Sequence, residues 1–439
     1  MTMPADRVRM VRRSWWIAVL LAVTSACGAD TARFGGGRLT GTTITFAISV
    51  SDRETPAIRK LLTRFENQSK VSVDLRLLSR FRDQPPSRVE LVTSLDSRGL
   101  IARLAADPPG RPTIHLFAQD NLALVPLVDA GLVEELYDVT VPDGVLASMV
   151  PPRFRGRQLF LPFRPNVRLT YIDAAEARNA GVEPPRTSSE LITAAERLKA
   201  AKGRPAVTLS LAEGDPAAVT VSEWIVSHGG DPLVLNDAGS VAAFELLQVL
   251  WRQELIARES LFGRYDTEID HLRRGTAVLA QNWSFTSAVL DAGHQLERFH
   301  VYPGWGGTSR AAHVIGGDVL GVPRGVTGKQ RAAALALAEF LMSREAQELL
   351  ARENAWPSIR SDAYGTIAPE LRQTFDAIDV ALRDGWFRPS VAHWPEVSDL
   401  LNEAVDRIVV RLEPVKPTLD ELHARVVAAA TARGAPAPR

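Results

Sequence analysis

One cysteine, Cys27, occurs in 439 residues. A lone thiol closes no disulfide within its own chain, so nothing covalent ties the fold together. The thiol itself fits a buried small hydrophobe, a redox nucleophile or an attachment point. Lysine is scarce, with six residues against 45 arginines, a bias of codon usage that carries no information on activity. An excess of one charge is also missing, since 51 basic side chains meet 51 acidic ones. That balance gives no sign of the strongly basic face that nucleic acid favours. After residue 26 no apolar run reaches the ~18 residues of a membrane span. The eight histidines are scattered, without His-Glu-x-x-His or a Cys–His metal spacing, so no metal or cofactor is expected. A Gly-x-Ser-x-Gly elbow and a Gly-x4-Gly-Lys-Ser/Thr phosphate loop are equally missing. There is no internal repeat.

What surrounds Cys27 narrows its role. Residues 1–13 carry Arg7, Arg9, Arg12 and Arg13 against Asp6, an apolar run follows from Trp15 to Val23, and Thr24-Ser25-Ala26 leads into the cysteine. This is the charged, apolar and small-residue layout of a secretory signal, too short for a permanent span. The small residues before Cys27 resemble the lipobox of bacterial lipoproteins, although Thr24 stands where Leu is usual. That resemblance implies a diacylglyceryl group on the Cys27 thiol and cleavage just before it. Arg12-Arg13 leaves both the general and the twin-arginine export routes open. Loss of residues 1–26 takes four arginines and one aspartate, leaving 47 basic and 50 acidic side chains. Roughly 410 mature residues are too many for one ordinary core, so two lobes are expected.

Residues 27–41 contain a Gly-Gly-Gly run and read as a flexible tether. "TITFAISV" then reads as a buried strand, Thr55-Pro56 as a helix start, and "VSVDLRLL" as a period-two strand. A helix is expected over 87–106, a strand at "PTIHLFA" and a helix from Asn121 to Leu136. Such alternation predicts a parallel sheet with helices on its faces. "RQLFLPFRPNVRLTYID" breaks the rhythm with two prolines. The helix after it is expected to be capped by Ser188 or Ser189, and residues 328–354 read as two helices with Ser343 capping the second. The chain beyond Trp356 reads as mostly helical.

The order of "LFAQDNLALVPLVDAGLVEEL", "LFLPFRPNVRLTYIDAAEARNAGVEPPRTSSEL", "LRRGTAVLAQNWSF" and "GGDVLGVPRGVTGKQRAAALALAEFLMSREAQELLA" resembles an ABC-transporter solute-binding lipoprotein of the sugar-binding type. The likeness runs from about 42 to 425. It implies an α/β, two-lobed periplasmic-binding-protein-like fold of type II, with hinged lobes and a ligand cleft between them. Residues 42–155 and 306–355 would form lobe one, and 156–305 and 356–439 lobe two. It also implies a monomer that hands a carbohydrate to membrane permease subunits, held outside the cytoplasm by lipid, with no catalysis.

A sugar site needs amides, carboxylates and arginines for hydroxyls, and flat aromatic faces for the C–H side of the ring. Asp120 ends a strand where open α/β sheets bind ligands, and it would equally serve as an N-cap. Gln119 and Asn121 flank it. Asp52 and Arg53 end the first strand in a similar place. Asn166 and Arg164 lie in "PFRPNVR", and Gly317 would let a ligand approach the backbone. Trp283, flanked by Asn282 and Ser284, has polar neighbours unusual for a core strand, and in the resembled family this tryptophan lines the cleft. Trp356 and Trp386 are further candidates for such platforms, with a place in the core as the alternative for each. The rival cargo is a glycerophosphodiester, which Arg164 and Arg168 would favour if both faced the cleft. Two more distant rivals are a ligand sensor that works without a permease and an exported carbohydrate-active enzyme.

Overall fold

The computed structural model describes residues 34, 38–51, 54–81, 97–108, 110–121 and 124–435. Cys27, Asp52 and Arg53 lie outside the described residues. Among the described residues there are nine strands, β1 (Thr43–Ser51), β2 (Ser72–Phe81), β3 (Leu116–Asp120), β4 (Leu161–Asp173), β5 (Val207–Thr208), β6 (Leu279–Trp283), β7 (Phe299–Tyr302), β8 (His313–Gly321) and β9 (Gly385–Phe387). Their order is β2-β1-β3-β8-β4-β6-β5, with β7 also on β4 and β9 also on β8.

The expected parallel sheet is corrected to a mixed one. β1 pairs with β2 and β3 in parallel, whereas β8 runs antiparallel to both β3 and β4. The returning strand β8 lies inside the sheet, and it reverses the direction there. "LPFRPNVRLTYID", expected as an interruption, is a single strand of 13 residues. Its first half pairs with β8 and its second half with β6 and β7, so one strand serves both halves of the molecule. A register irregularity between Pro162 and Arg164 accommodates proline, which has no N–H to give to a ladder.

Two large apolar cores flank this strand. One gathers Phe46, Phe65, Phe163 and Phe340, all buried. The other packs the helices Asp215–Ser227, Ala238–Arg252, Trp394–Ala404 and Val415–Ala432 around β5, with Trp224 edge-on to Trp305 at 6.0 Å. Burial on this scale replaces the missing disulfides, at about 25 cal/mol for each Å² of apolar surface removed from water. Phe34 and Leu39 join the first core, Phe34 standing edge-on to Phe340 at 5.3 Å. That part of the expected tether is therefore packed, because two large apolar side chains interrupt its polar composition.

The helix Arg344–Asn354 is capped by Ser343, whose hydroxyl accepts from Ala346 N at 3.3 Å. The helix Ser188–Lys202 is capped by Thr187 rather than by either serine. Thr187 is extended, and its hydroxyl accepts from Glu190 N at 3.2 Å. Of the helix expected from Asn121 to Leu136, the described residues form an α-helix over Leu124–Asp129, and Gly131 turns the chain at φ +66°.

Candidate functional site

A cleft of about 680 Å³ opens along the middle of β4 and β8. The size suits a small-molecule ligand. Strand ends and helix starts supply its wall, the places where an α/β fold exposes backbone and side chains together. β3 contributes Gln119 and Asp120, β4 Arg164 and Asn166, and β8 Gly316, Gly317 and Asp318. From the other side come Trp283 at the end of β6 and the helix-starting residues Asp215, Tyr265, Asp266 and Trp394. Glu54, Phe285, Trp356, Arg388 and Asp399 complete the charged and aromatic lining.

Both arginines are already committed. Arg164 Nη2 donates to Asp318 Oδ2 at 2.7 Å, and its Nη1 lies 3.5 Å from Glu54 Oε1. The guanidinium also sits 4.3 Å above the Trp356 ring, and Trp356 Nε1 donates to the same Glu54 oxygen at 2.7 Å. Burial opposes the Arg164 charge, but Asp318, Glu54 and Asp120 outweigh it and raise its pKa. Burial pushes the Asp318 carboxyl up to about 6, against the pull of Arg164. Arg388 Nη1 donates to Asp215 Oδ1, and Tyr265 Oη donates to Asp215 Oδ2 at 3.0 Å. Six carboxylates therefore line the cleft against two arginines, both of them paired.

The aromatic wall is built just as specifically. Trp283 is 5% exposed and stands edge-on to Tyr265 at 5.8 Å. Its ring lies over the backbone of Gly316, where an added Cβ would come within 2.9 Å of Trp283 Cη2. Gly317 has φ +94°, and a Cβ there would meet Arg164 O at 2.1 Å.

Of the residues singled out from the sequence, Gln119, Asp120, Arg164, Asn166, Trp283, Gly317 and Trp356 face this cleft. Asn121 and Asn282 stand behind its wall. Asn121 Nδ2 donates to Ile315 O at 3.0 Å, and Asn282 Nδ2 donates to Tyr265 O at 2.7 Å. Both amides brace the backbone, Asn121 just after β3 and Asn282 within β6. Trp386 packs behind Trp283, against the small apolar cluster that includes Val314. Arg168 is fully buried, donating to Thr220 Oγ1 at 2.9 Å and to Gln281 O at 3.1 Å. Arg360 pairs with Asp362. Sequence reasoning missed Glu54, Asp215, Tyr265, Asp266, Arg388, Trp394 and Asp399. The signals that could have found two of them were the helix start "GDPAA" and the arginine that follows "GWF".

Among the described residues no group of histidine, cysteine, aspartate or glutamate is placed to hold a metal ion. No described helix is long and apolar enough to cross a membrane.

Solved structures define the class of fold. The GacH receptor of Streptomyces glaucescens, solved unliganded and with acarbose, superposes with a TM-score of 0.71 at 16% identity, covering 89% of this chain and 98% of that one. The sugar-binding protein MalE of Xanthomonas citri gives 0.73 at 16% identity, over 90% and 98% of the two chains. The cyclic alpha-maltosyl-1,6-maltose binding protein of Arthrobacter globiformis gives 0.72 at 17% identity, over 88% and 98%. The chain thus has the two-lobed α/β fold of solute-binding proteins. None of the curated proteins matches it. The sequence profile described as bacterial extracellular solute-binding protein matches residues 77–367, and the chain belongs to that family.

Proposed function

We propose that the protein captures a neutral carbohydrate, a disaccharide or small oligosaccharide, and delivers it to the membrane subunits of an ABC importer. The observation that carries this reading is the composition of the cleft. Aromatic faces stand beside six carboxylates, and the two arginines present are already paired. Carboxylates accept from sugar hydroxyls, while indole and phenol rings take the apolar face of the ring. A phosphodiester would meet the opposite environment. It needs free cations, yet Arg168 is fully buried on Thr220 and Gln281.

The matched family is extracellular. Within that setting, the signal-like residues 1–26 and Cys27 support export followed by lipid anchoring. The two acyl chains of a diacylglyceryl group hold a membrane where one binds only marginally. Residues 42–155 with 306–355 and residues 156–305 with 356–439 are the lobes of this reading, with the chain crossing between them near 157–166, 301–306 and 355–360. Closure about these crossings around the sugar would present one closed surface to the permease, and the sugar would leave chemically unchanged.

A thermal-shift screen tests the ligand class, because a ligand that binds only the folded state raises Tm. Neutral oligosaccharides such as maltose and maltotriose should raise Tm, and glycerophosphodiesters should leave it unchanged. Stabilisation by glycerophosphodiesters alone would overturn the proposal.

A further inference from the structure

Behind the aromatic wall lies a buried polar cluster, Glu223, Gln281 and the Val314 backbone, whose members do not line the cleft. Glu223 belongs to the helix Asp215–Ser227 and is 1% exposed. Its Oε1 accepts from Gln281 Nε2 at 2.5 Å, and its Oε2 accepts from Val314 N at 2.8 Å. Gln281 lies on β6, two residues before Trp283. Val314 lies on β8, two residues before Gly316, the glycine under the Trp283 ring. One carboxylate therefore ties the strand that carries the indole to the strand on which the indole rests.

From these contacts the geometry points to Glu223 as a positioning residue for the aromatic wall of the binding cleft, setting where Trp283 presents its ring. The inference rests on the carbohydrate reading for its purpose, but not for its geometry. Other contacts converge on the same segment. Arg168 Nη2 donates to Gln281 O at 3.1 Å and offsets the buried carboxylate. Tyr171 Oη donates to Trp283 O at 3.2 Å, and Asn282 Oδ1 accepts from Trp283 N at 2.7 Å. The same helix begins with Asp215, which receives Tyr265 Oη and so places the ring that meets Trp283 edge-on. Asp215 and Glu223 are eight residues apart, about 12 Å along a helix. A single rigid rod thus fixes both aromatic side chains. A site of this kind depends on its supporting groups, because a ring displaced by a fraction of an ångström loses contact with its ligand.

The experiment reads Trp283 directly and needs no ligand. The protein is labelled with 5-fluorotryptophan, and the Trp283 fluorine resonance is identified by its loss in Trp283→Phe. Glu223→Met keeps the length of the side chain but accepts neither bond. It should shift or broaden the Trp283 resonance in samples kept well below their Tm. Glu223→Gln is the conservative control. Its amide oxygen still accepts from Val314 N, and its amide nitrogen can donate to a turned Gln281 amide, so the native resonance should return without the charge. If Glu223→Met fails to fold, Gln281→Met removes the β6 arm alone and should produce the same shift. An unmoved Trp283 resonance in the folded Met variants would overturn the proposal. So would a Glu223→Gln spectrum as perturbed as that of Glu223→Met, which would make the charge, rather than the two bonds, responsible. Neither result depends on whether sugars bind, so a failure here is separate from a failure of the ligand assignment.

Discussion

Trp283 and Arg164 show how much of the site is decided by single side chains. Both were legible in the sequence, Trp283 from polar neighbours and Arg164 from a charge inside a strand-like run. What those neighbours do was not legible. Asn282 looks like a ligand contact beside Trp283, yet it spends its amide on Tyr265 O and Trp283 N. Arg164 looks available for an anion, yet Asp318 and Glu54 consume its charge. The partners of Arg164 come from distant parts of the chain, and those of Asn282 depend on how the strand end folds against the next helix, which one-dimensional reading has no access to. The indole makes the first prediction. Trp283 is nearly buried, so truncation to alanine would cost stability as well as affinity. Trp283→Phe keeps an aromatic ring against Tyr265 and should fold with a Tm close to the parent. It should still remove most of the ligand-induced change in tryptophan emission. Loss of the larger stacking face should weaken binding of the stabilising oligosaccharide by ~2 kcal/mol, about thirtyfold. Fluorescence titration checks both, and a Trp283→Phe variant with unchanged affinity and emission response would contradict a stacking role.

At the scale of elements, the clearest signals were local ones. The period-two and β-rich runs of β1 and β2 and the serine cap of Arg344–Asn354 all emerge as read. β4 was hidden by its own prolines, since the pairing that tolerates them involves β8, about 150 residues further on. The parallel expectation failed for the same reason, because the direction of β8 is set by the returning chain and not by its residues. Between these strands the helix Tyr265–Arg274 contributes Glu268, which is fully buried and accepts from Ser210 Oγ at 2.7 Å. Burial pushes its carboxyl from 4.5 up to about 8, against the pull of Ser210 and Arg168. The folded state therefore holds this proton more tightly than the unfolded chain does. The stabilisation is complete below the unfolded pKa and is lost as pH rises through 8. Glu268→Gln removes the titration and keeps a partner for Ser210. Between pH 5 and pH 9 the parent should lose on the order of 4 kcal/mol relative to this variant. Denaturant unfolding at the two pH values measures the difference, and a constant gap would show that Glu268 ionises in the fold as it does in water. His313 bounds the acid side. Burial lowers it to about 4, with Arg168 and Arg310 acting in the same sense. Its contribution is present above the ordinary histidine pKa and is lost as pH falls from 6.5 toward 4.

At the scale of the molecule, a polar and aromatic cleft lies along the middle of β4 and β8, between the two proposed lobes. Short crossings between packed lobes suit rigid-body closure better than local rearrangement. Small-angle scattering should therefore show a smaller radius of gyration at saturating oligosaccharide than without it. A radius unchanged by verified binding would argue against an open resting state. The proposed lipid anchor belongs to this scale as well. Cys27→Ala should release the protein from the membrane fraction or leave it unprocessed, and a mature protein without lipid mass would contradict acylation. The central claim, that this cleft holds a neutral sugar, is tested most directly by the crystal structure of the protein saturated with the oligosaccharide that most raises its Tm. The expected result is a sugar ring with its apolar face on Trp283 or Tyr265, its hydroxyls donating to carboxylates of the lining such as Asp120 and Asp215, and Arg164 still paired with Asp318. A ligand bound outside the cleft, or an anionic group drawing Arg164 or Arg388 out of its ion pair, would contradict it.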